Sequence, residues 1–329
     1  MKNKMTILNI LLATTLAASA QVKPDARATF IVRDDSGKVV PNITVGMSTY
    51  DRMSPNGALD QSPVSTGVTA QTDGQGVVTL TCPSEIGKFG YGVRDTSGYY
   101  RNNGAPYTFR GPTNNQWQPW NPTIEIVVRP IVNPVAMYAR PTREIFIPKT
   151  NRKYGYDLMI GDWVAPDGKG QTPDLMFEVT GHTTDYKDND STLMVSFANS
   201  LDGVQEFVAQ NGSSFVSPRE APVDGYKDNL TFRQLRKPGM ASSDWINDNQ
   251  NPKNYFFRVR TVMDEKGNIK SALYGKIYGG FDFGGAVEHC YLKIGKSYLN
   301  PEPNSRNMEF DTSKNLLKGL KRGDVITAP

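Results

Sequence analysis

Histidine and cysteine are scarce in this chain of 329 residues, with two of each, and the scarcity removes whole classes of chemistry. His182 and His289 supply no paired-histidine metal motif, and neither a glycine-rich phosphate loop nor a Gly-x-Ser-x-Gly elbow occurs. No block of lysine or arginine stands anywhere, and without Lys2 and Lys4 the formal charge of +4 falls to +2. That balance leaves no electrostatic footprint for nucleic acid or an anionic membrane. After the first twenty residues there is no long apolar run, so no integral membrane segment is expected in the rest of the chain. Neither a metal site nor a cofactor site is predicted, and no residue is assigned a catalytic role. What the chain has in quantity is turn-forming residues, 30 glycines and 22 prolines, within an apolar fraction of 38% that is too high for general disorder.

Lys2 and Lys4 precede an apolar stretch from Met5 to Leu16, followed by small residues ending Ala18-Ser19-Ala20. This three-part pattern predicts a secretory signal over residues 1–20, cleaved after Ala20, because the stretch is shorter than the roughly 20 apolar residues needed to span a bilayer. The expected location is secreted or periplasmic. In such a compartment Cys82 and Cys290 invite a disulfide. Strand parity favours two separate core thiols, since Cys82 shares a face with Val78 and Leu80, and Cys290 with Leu292 and Ile294. His289 beside Cys290 points to the opposite face and cannot form a dyad with it.

Beyond Gln21 the pattern is strand and turn. Ala28, Phe30 and Val32 alternate with polar residues, as do Ile124, Ile126 and Val128, with Asp34-Asp35-Ser36-Gly37 and Thr72-Asp73-Gly74-Gln75-Gly76 as turns. Leu175, Phe177 and Val179, then Leu193, Val195 and Phe197, repeat the alternation, and Asp264–Asn268 closes a hairpin between Phe257–Met263 and Ile269–Tyr278. The expected fold class is all-β, with two antiparallel β-sandwich domains. Residues 21–130 form the first and 154–305 the second. Residues 131–153 read as a Pro-rich connector, 211–253 as a long polar loop, and 306–329 as a tail whose Leu316, Leu317 and Leu320 predict a short helix capped by Asp311-Thr312-Ser313.

The series Phe30-Ile31-Val32-Arg33-Asp34, Gly37-Lys38-Val39-Val40-Pro41-Asn42 and Thr72-Asp73-Gly74-Gln75-Gly76 resembles the carboxypeptidase regulatory-like domain, a transthyretin-like β-sandwich, over residues 26–130. The resemblance implies a scaffold of Ig-like type, often appended to secreted bacterial proteins, and transfers no catalytic residue. Ile43 stands where the family has a small residue, and residues between Tyr91 and Ile124 form an insertion. The second half resembles no family.

That insertion carries the candidate ligand-binding residues: Tyr99, Tyr100, Arg101, Tyr107, Trp117 and Trp120, among asparagine, glutamine and arginine, with no acid between 98 and 122. Flat aromatic faces beside amides suit a sugar ring. The competing reading is that a long loop buries its aromatics as its own small core. Asp185, Asp188, Asn189 and Asp190 make an acidic segment, but their spacing fails the twelve-residue calcium loop and reads as a solvated turn. The function expected is a non-catalytic binding or envelope-associated structural role with a glycan or envelope component as partner. The alternative is an extracellular hydrolase of polysaccharide or peptide, whose carboxylates would come from residues such as Glu178, Glu206 and Glu288.

Overall fold

The computed structural model describes residues 23–49, 67–94, 98–102, 104–185, 187–210, 212–250, 253–285 and 289–329. The signal expected over 1–20 and Glu288 lie outside them. The chain is nearly all β, in antiparallel-rich sheets, and no described helix is long and apolar enough to cross a membrane. It divides into two compact units.

The first unit holds described residues 23–32 together with Val40–Arg94 and Ala105–Glu125. Its strands come from β1 (Asp25–Asp34), β2 (Thr44–Thr49), β3 (Gly67–Gln71), β4 (Val77–Pro83), β5 (Lys88–Val93), β6 (Tyr107–Thr108), β7 (Gly111–Thr113), β8 (Gln116–Gln118) and β9 (Thr123–Val128). One sheet runs β4-β1-β8-β7 with β9 also on β1, and the other runs β3-β2-β5-β6. Every second residue of β1 is buried, which places Ala26, Ala28, Phe30 and Val32 on one face. Phe30 meets Phe89 of β5 edge-on with ring centroids 6.3 Å apart. Cys82 is buried with Val78 and Leu80 on the corresponding face of β4.

The second unit holds Arg33–Val39, described residues 98–102 and 104, and Ile126–Pro329. Its strands are β10 (Val135–Arg140), β11 (Arg143–Phe146), β12 (Lys153–Asp157), β13 (Asp162–Trp163), β14 (Leu175–Asp185), β15 (Asp188–Ser196), β16 (Gly203–Phe207), β17 (Asn229–Arg236), β18 (Ile246–Asn247), β19 (Asn254–Met263), β20 (Ile269–Gly284), β21 (Tyr291–Asn300) and β22 (Phe310–Asn315). A six-stranded sheet, β13-β12-β14-β15-β17-β18, faces a seven-stranded one, β16-β19-β20-β21-β10-β22 with β11 on β21. Phe177, Val179, Leu193, Val195 and Phe232 of the first pack with Phe257, Ile277, Phe283, Leu292 and Ile294 of the second in one core that also buries Cys290.

Two short pieces of early sequence are tied into this unit by a buried ionic hub. The carboxylate of Glu309 accepts from the Tyr100 hydroxyl and from the backbone N–H groups of Val132 and Asn133, each at 2.8 Å, and from Arg219 at 3.2 Å. Arg129 donates to Asp35 at 3.2 Å and to the carbonyls of Phe215 and Ser217 at 2.7 Å. Nearby, the fully buried Lys276 amino group donates to Met308 O at 2.6 Å and lies 4.7–5.0 Å from the ring centres of Phe215, Tyr278 and Tyr298.

Three expected segments differ. The connector 131–153 contributes β10 and β11, both hydrogen-bonded to β21, because Pro134, Pro141 and Pro148 all fall outside those strands and leave their ladders intact. The polar loop 211–253 contains β17 and β18, strands whose exposed faces are polar. The tail forms no helix at Leu316, Leu317 and Leu320, its one helical turn being a 3-10 turn at Arg322–Asp324: β22 pairs in parallel with β10, and the Asn315 side chain bonds both Ala139 O, at 2.7 Å, and Ala139 N, at 3.2 Å. Asp311 accepts from Ser313 N at 3.0 Å and Ser313 Oγ at 2.6 Å, a local turn within the strand rather than a helix cap.

Candidate functional site

The six aromatic-loop residues are divided between the two units. Tyr107 and Trp117 belong to the first, in a chain of ring contacts running from Phe89 to Phe109, and Trp120 lies in the same unit. Trp117 is only 8% exposed, and its indole N–H donates to Ser84 O at 2.9 Å. Tyr107 is half-buried, and Trp120 is half-buried with the Arg27 guanidinium 5.8 Å from its ring centre. Tyr99, Tyr100 and Arg101 belong to the second unit: Tyr100 is buried against Phe215 with its hydroxyl on Glu309, Tyr99 is half-buried, and Arg101 is exposed. The expectation of one exposed aromatic platform is therefore corrected for Tyr100 and Trp117. Their polar tips are spent on internal acceptors, as buried phenols and indoles require, and β6, β7 and β8 fold the insertion onto its own rings.

The other sequence candidates resolve individually. Asp185 accepts from the backbone N–H groups of Lys187 and Asp188 in the β14–β15 turn, and Asp190 pairs with Arg233 and Lys237. Glu206 pairs with Lys253 on the surface. Burial pushes the Cys290 thiol up to about 11, away from thiolate reactivity, while His289 is exposed. Among the described residues no cluster of three or more His, Cys, Asp or Glu is placed to hold a metal.

A different site emerges from the six-stranded sheet. Strand parity and register define rows of side chains across its inner face. The row Val179, Leu193, Phe232 belongs to the core. The next, Gly181, Ser191, Gln234 and Asn247, is polar, and so is the last, Thr183, Asn189 and Arg236. The apolar stripe thus ends two rows before the strands do, and the sandwich opens into a polar cleft of about 460 Å³.

The floor of this cleft is a directional relay. Ser191 Oγ, at 2.6 Å, and Thr183 Oγ1, at 3.0 Å, donate to Asn189 Oδ1; Asn189 Nδ2 donates to Gln234 Oε1 at 3.0 Å; Gln234 Nε2 donates to Phe283 O of the facing sheet at 2.6 Å. The terminal carbonyl can only accept, so the orientation of both amides is fixed. On another wall Asn249 Nδ2 donates to Asp282 Oδ1 at 2.7 Å, leaving Asn249 Oδ1 buried without a partner. Arg236 lies with its guanidinium carbon 4.6 Å from the centre of the exposed Trp245 ring. The Tyr291 ring packs on Gly284, and burial, then the nearby Asp282 charge, raises its phenol, so it is a neutral donor at physiological pH.

No protein-family model matches the chain, and no curated protein does. Among solved structures, one similar chain is a DUF3823 family protein from Bacteroides ovatus ATCC 8483. It is 10% identical, with 83% of this chain and 98% of that chain covered and a TM-score of 0.21. The chemistry of the cleft therefore stands on its own geometry.

The sequence alone marks none of the cleft residues as a ligand contact, and Asp185 and Asn189 stand in it only as part of an acidic segment that fails the calcium-loop spacing. The signal was present in the parity of three runs: Val179, Gly181, Thr183; Leu193, Ser191, Asn189; and Phe232, Gln234, Arg236. Each carries an inward apolar residue into inward polar ones.

Proposed function

We propose that this chain is a non-catalytic glycan-binding protein of the secreted or periplasmic space, holding its ligand in the polar cleft of the second unit. The observation that carries this reading is the pair of inward polar rows at the end of the six-stranded sheet, tied into a relay whose amide orientations are fixed before a ligand arrives. Sugars present adjacent hydroxyls that donate and accept together, and planar side chains such as Asn, Gln, Asp and Arg match them. A volume of about 460 Å³ has the size of a small-ligand site. Tyr291 adds an aromatic edge and a phenolic donor.

Under the same proposal the first unit is a scaffold of the carboxypeptidase regulatory-like kind, supported by its Asp73–Gly76 turn, and the protein works at the bacterial envelope. Export is tested by mass spectrometry of the exported form: an N-terminus at Gln21 supports it and retention of Met1 opposes it. The binding reading is tested by a glycan array probed with the chain from Gln21 onward. Binding of a glycan by the parent protein, weakened about tenfold or more in a folded Gln234→Ala variant, supports it; a blank array contradicts it.

A further inference from the structure

The cleft also contains a cation that has no counter-ion among the described residues, and this points past glycan binding in general to the kind of glycan, resting on the reading just given. Three bases stand on or beside the end of β17. Two of them are satisfied on the outer face, where Asp190 pairs with Arg233 at 3.0 Å and with Lys237 at 3.4 Å. The third, Arg236, is on the inner face opposite Asn189, and among the described residues no carboxylate lies within ion-pairing distance of it. Its guanidinium carbon instead lies 4.6 Å from the centre of the Trp245 ring. A ring contact of this kind uses no N–H acceptor, and a guanidinium fork matches a planar or tetrahedral anion by two parallel hydrogen bonds.

The acids of the cleft are arranged differently. Asp185 is occupied by the N–H groups of its own turn, and Asp282 is held by Asn249 through one oxygen, so its remaining acceptor capacity suits hydroxyl donors. A neutral ligand would leave Arg236 without an acceptor, whereas a fully anionic one would face Asp282. We propose that the cleft selects an acidic sugar, with its anionic substituent on Arg236 and its hydroxyls toward Asp282 and Tyr291. A carboxylate and a sulfate ester share the required chemistry.

The test is isothermal titration of the chain from Gln21 onward at about 0.15 M salt, where a bound charge pair is screened less than free charges. The probes are oligogalacturonides, alginate oligomers and hyaluronan fragments, each beside its carboxyl-reduced counterpart, and carrageenan oligosaccharides beside their desulfated counterparts. The proposal expects at least one acidic form to bind about tenfold or more tightly than its neutral counterpart. The carboxylated or the sulfated arm showing that difference assigns the anion. In Arg236→Gln, checked for folding by thermal unfolding, the difference collapses, and in Arg236→Lys it is partly kept because the charge remains while the fork is lost. Acidic and neutral forms binding equally well overturns the acidic-sugar proposal and leaves the glycan reading standing. Failure of every probe to bind overturns the acidic-sugar proposal, while the glycan array decides the wider reading.

Discussion

Lys276 is the residue whose environment departs furthest from its ordinary one. Desolvation, and next the positive charge of Arg129, depress its ammonium well below the usual lysine range, against the opposing pull of Glu309. In the unfolded chain the same group titrates near its ordinary value of about 10.4. Between the folded and unfolded values the unfolded state binds the extra proton, so stability rises with pH across that window. The rise ends near pH 10, where tyrosines such as Tyr100 and Tyr298, held protonated in the fold by burial, begin to ionise in the unfolded chain and reverse the slope. Denaturant titrations approaching pH 10 from below should therefore show increasing stability for the parent and a flatter profile for Lys276→Met, if that variant folds. A profile that falls over this range in the parent would contradict the assignment. At the same scale Trp117 is a core residue. Trp117→Ala should cost about 3–5 kcal/mol of unfolding free energy. A loss under about 1 kcal/mol would mean that the indole is not buried as described.

At the scale of elements, local turn chemistry was the most legible part of the sequence. Asp34, Asp73 and Asp264 each accept, through one oxygen, the N–H groups two and four residues ahead, and Gly37, Gly76 and Gly267 take the left-handed conformation three residues on. These turns depend only on neighbours, so residue order suffices to read them. Pairings set by distant strands were not legible. Nothing near Phe310 announces that β22 will lie parallel to β10, and the helical spacing of Leu316, Leu317 and Leu320 is overridden once Asn315 clamps Ala139. A β-bulge in β19 shows the same dependence on context. Its register against β20 shifts between Val259 and Val262, and Arg260 adopts a φ of 57°. Asp202 takes up the displaced N–H groups of Arg260 and Thr261 at 3.0 and 2.9 Å, and the re-aimed guanidinium reaches the buried Asp174 at 2.7 Å and Asp157 at 3.3 Å. Removing this cation leaves the buried Asp174 carboxylate with the Leu158 N–H alone, while Asp157 keeps its backbone donors from Met159, Ile160, Gln171 and Thr172. Breaking such a pair typically costs about 3–5 kcal/mol, and because Arg260 is itself partly exposed the low end, about 3 kcal/mol, is expected for Arg260→Ala by chemical denaturation. A cost near zero would show that Asp174 and Asp157 are otherwise compensated.

At the scale of the whole molecule, the all-β class followed from period-2 alternation, while the cleft did not, because polar residues at a strand end look like a solvated hairpin until register shows which way they face. Arg236 lies some fifty residues after Thr183 and Asn189 in sequence, and the three become one row only through the pairing of β14, β15 and β17. The aromatic loop misled for the complementary reason: aromatic density signals recognition and self-packing alike, and internal acceptors such as Ser84 O and Glu309 cannot be assigned to Trp117 and Tyr100 from order alone. Under the proposed function the ligand binds in the cleft and not on the loop. The most direct measurement is a titration of the best array glycan into the parent protein, Asn189→Ala and Trp120→Ala, each verified as folded. Affinity about tenfold or more weaker is expected for Asn189→Ala, which removes the centre of the relay, and affinity within about twofold of the parent for Trp120→Ala. Loss of binding in Trp120→Ala with Asn189→Ala unaffected would contradict binding in the cleft.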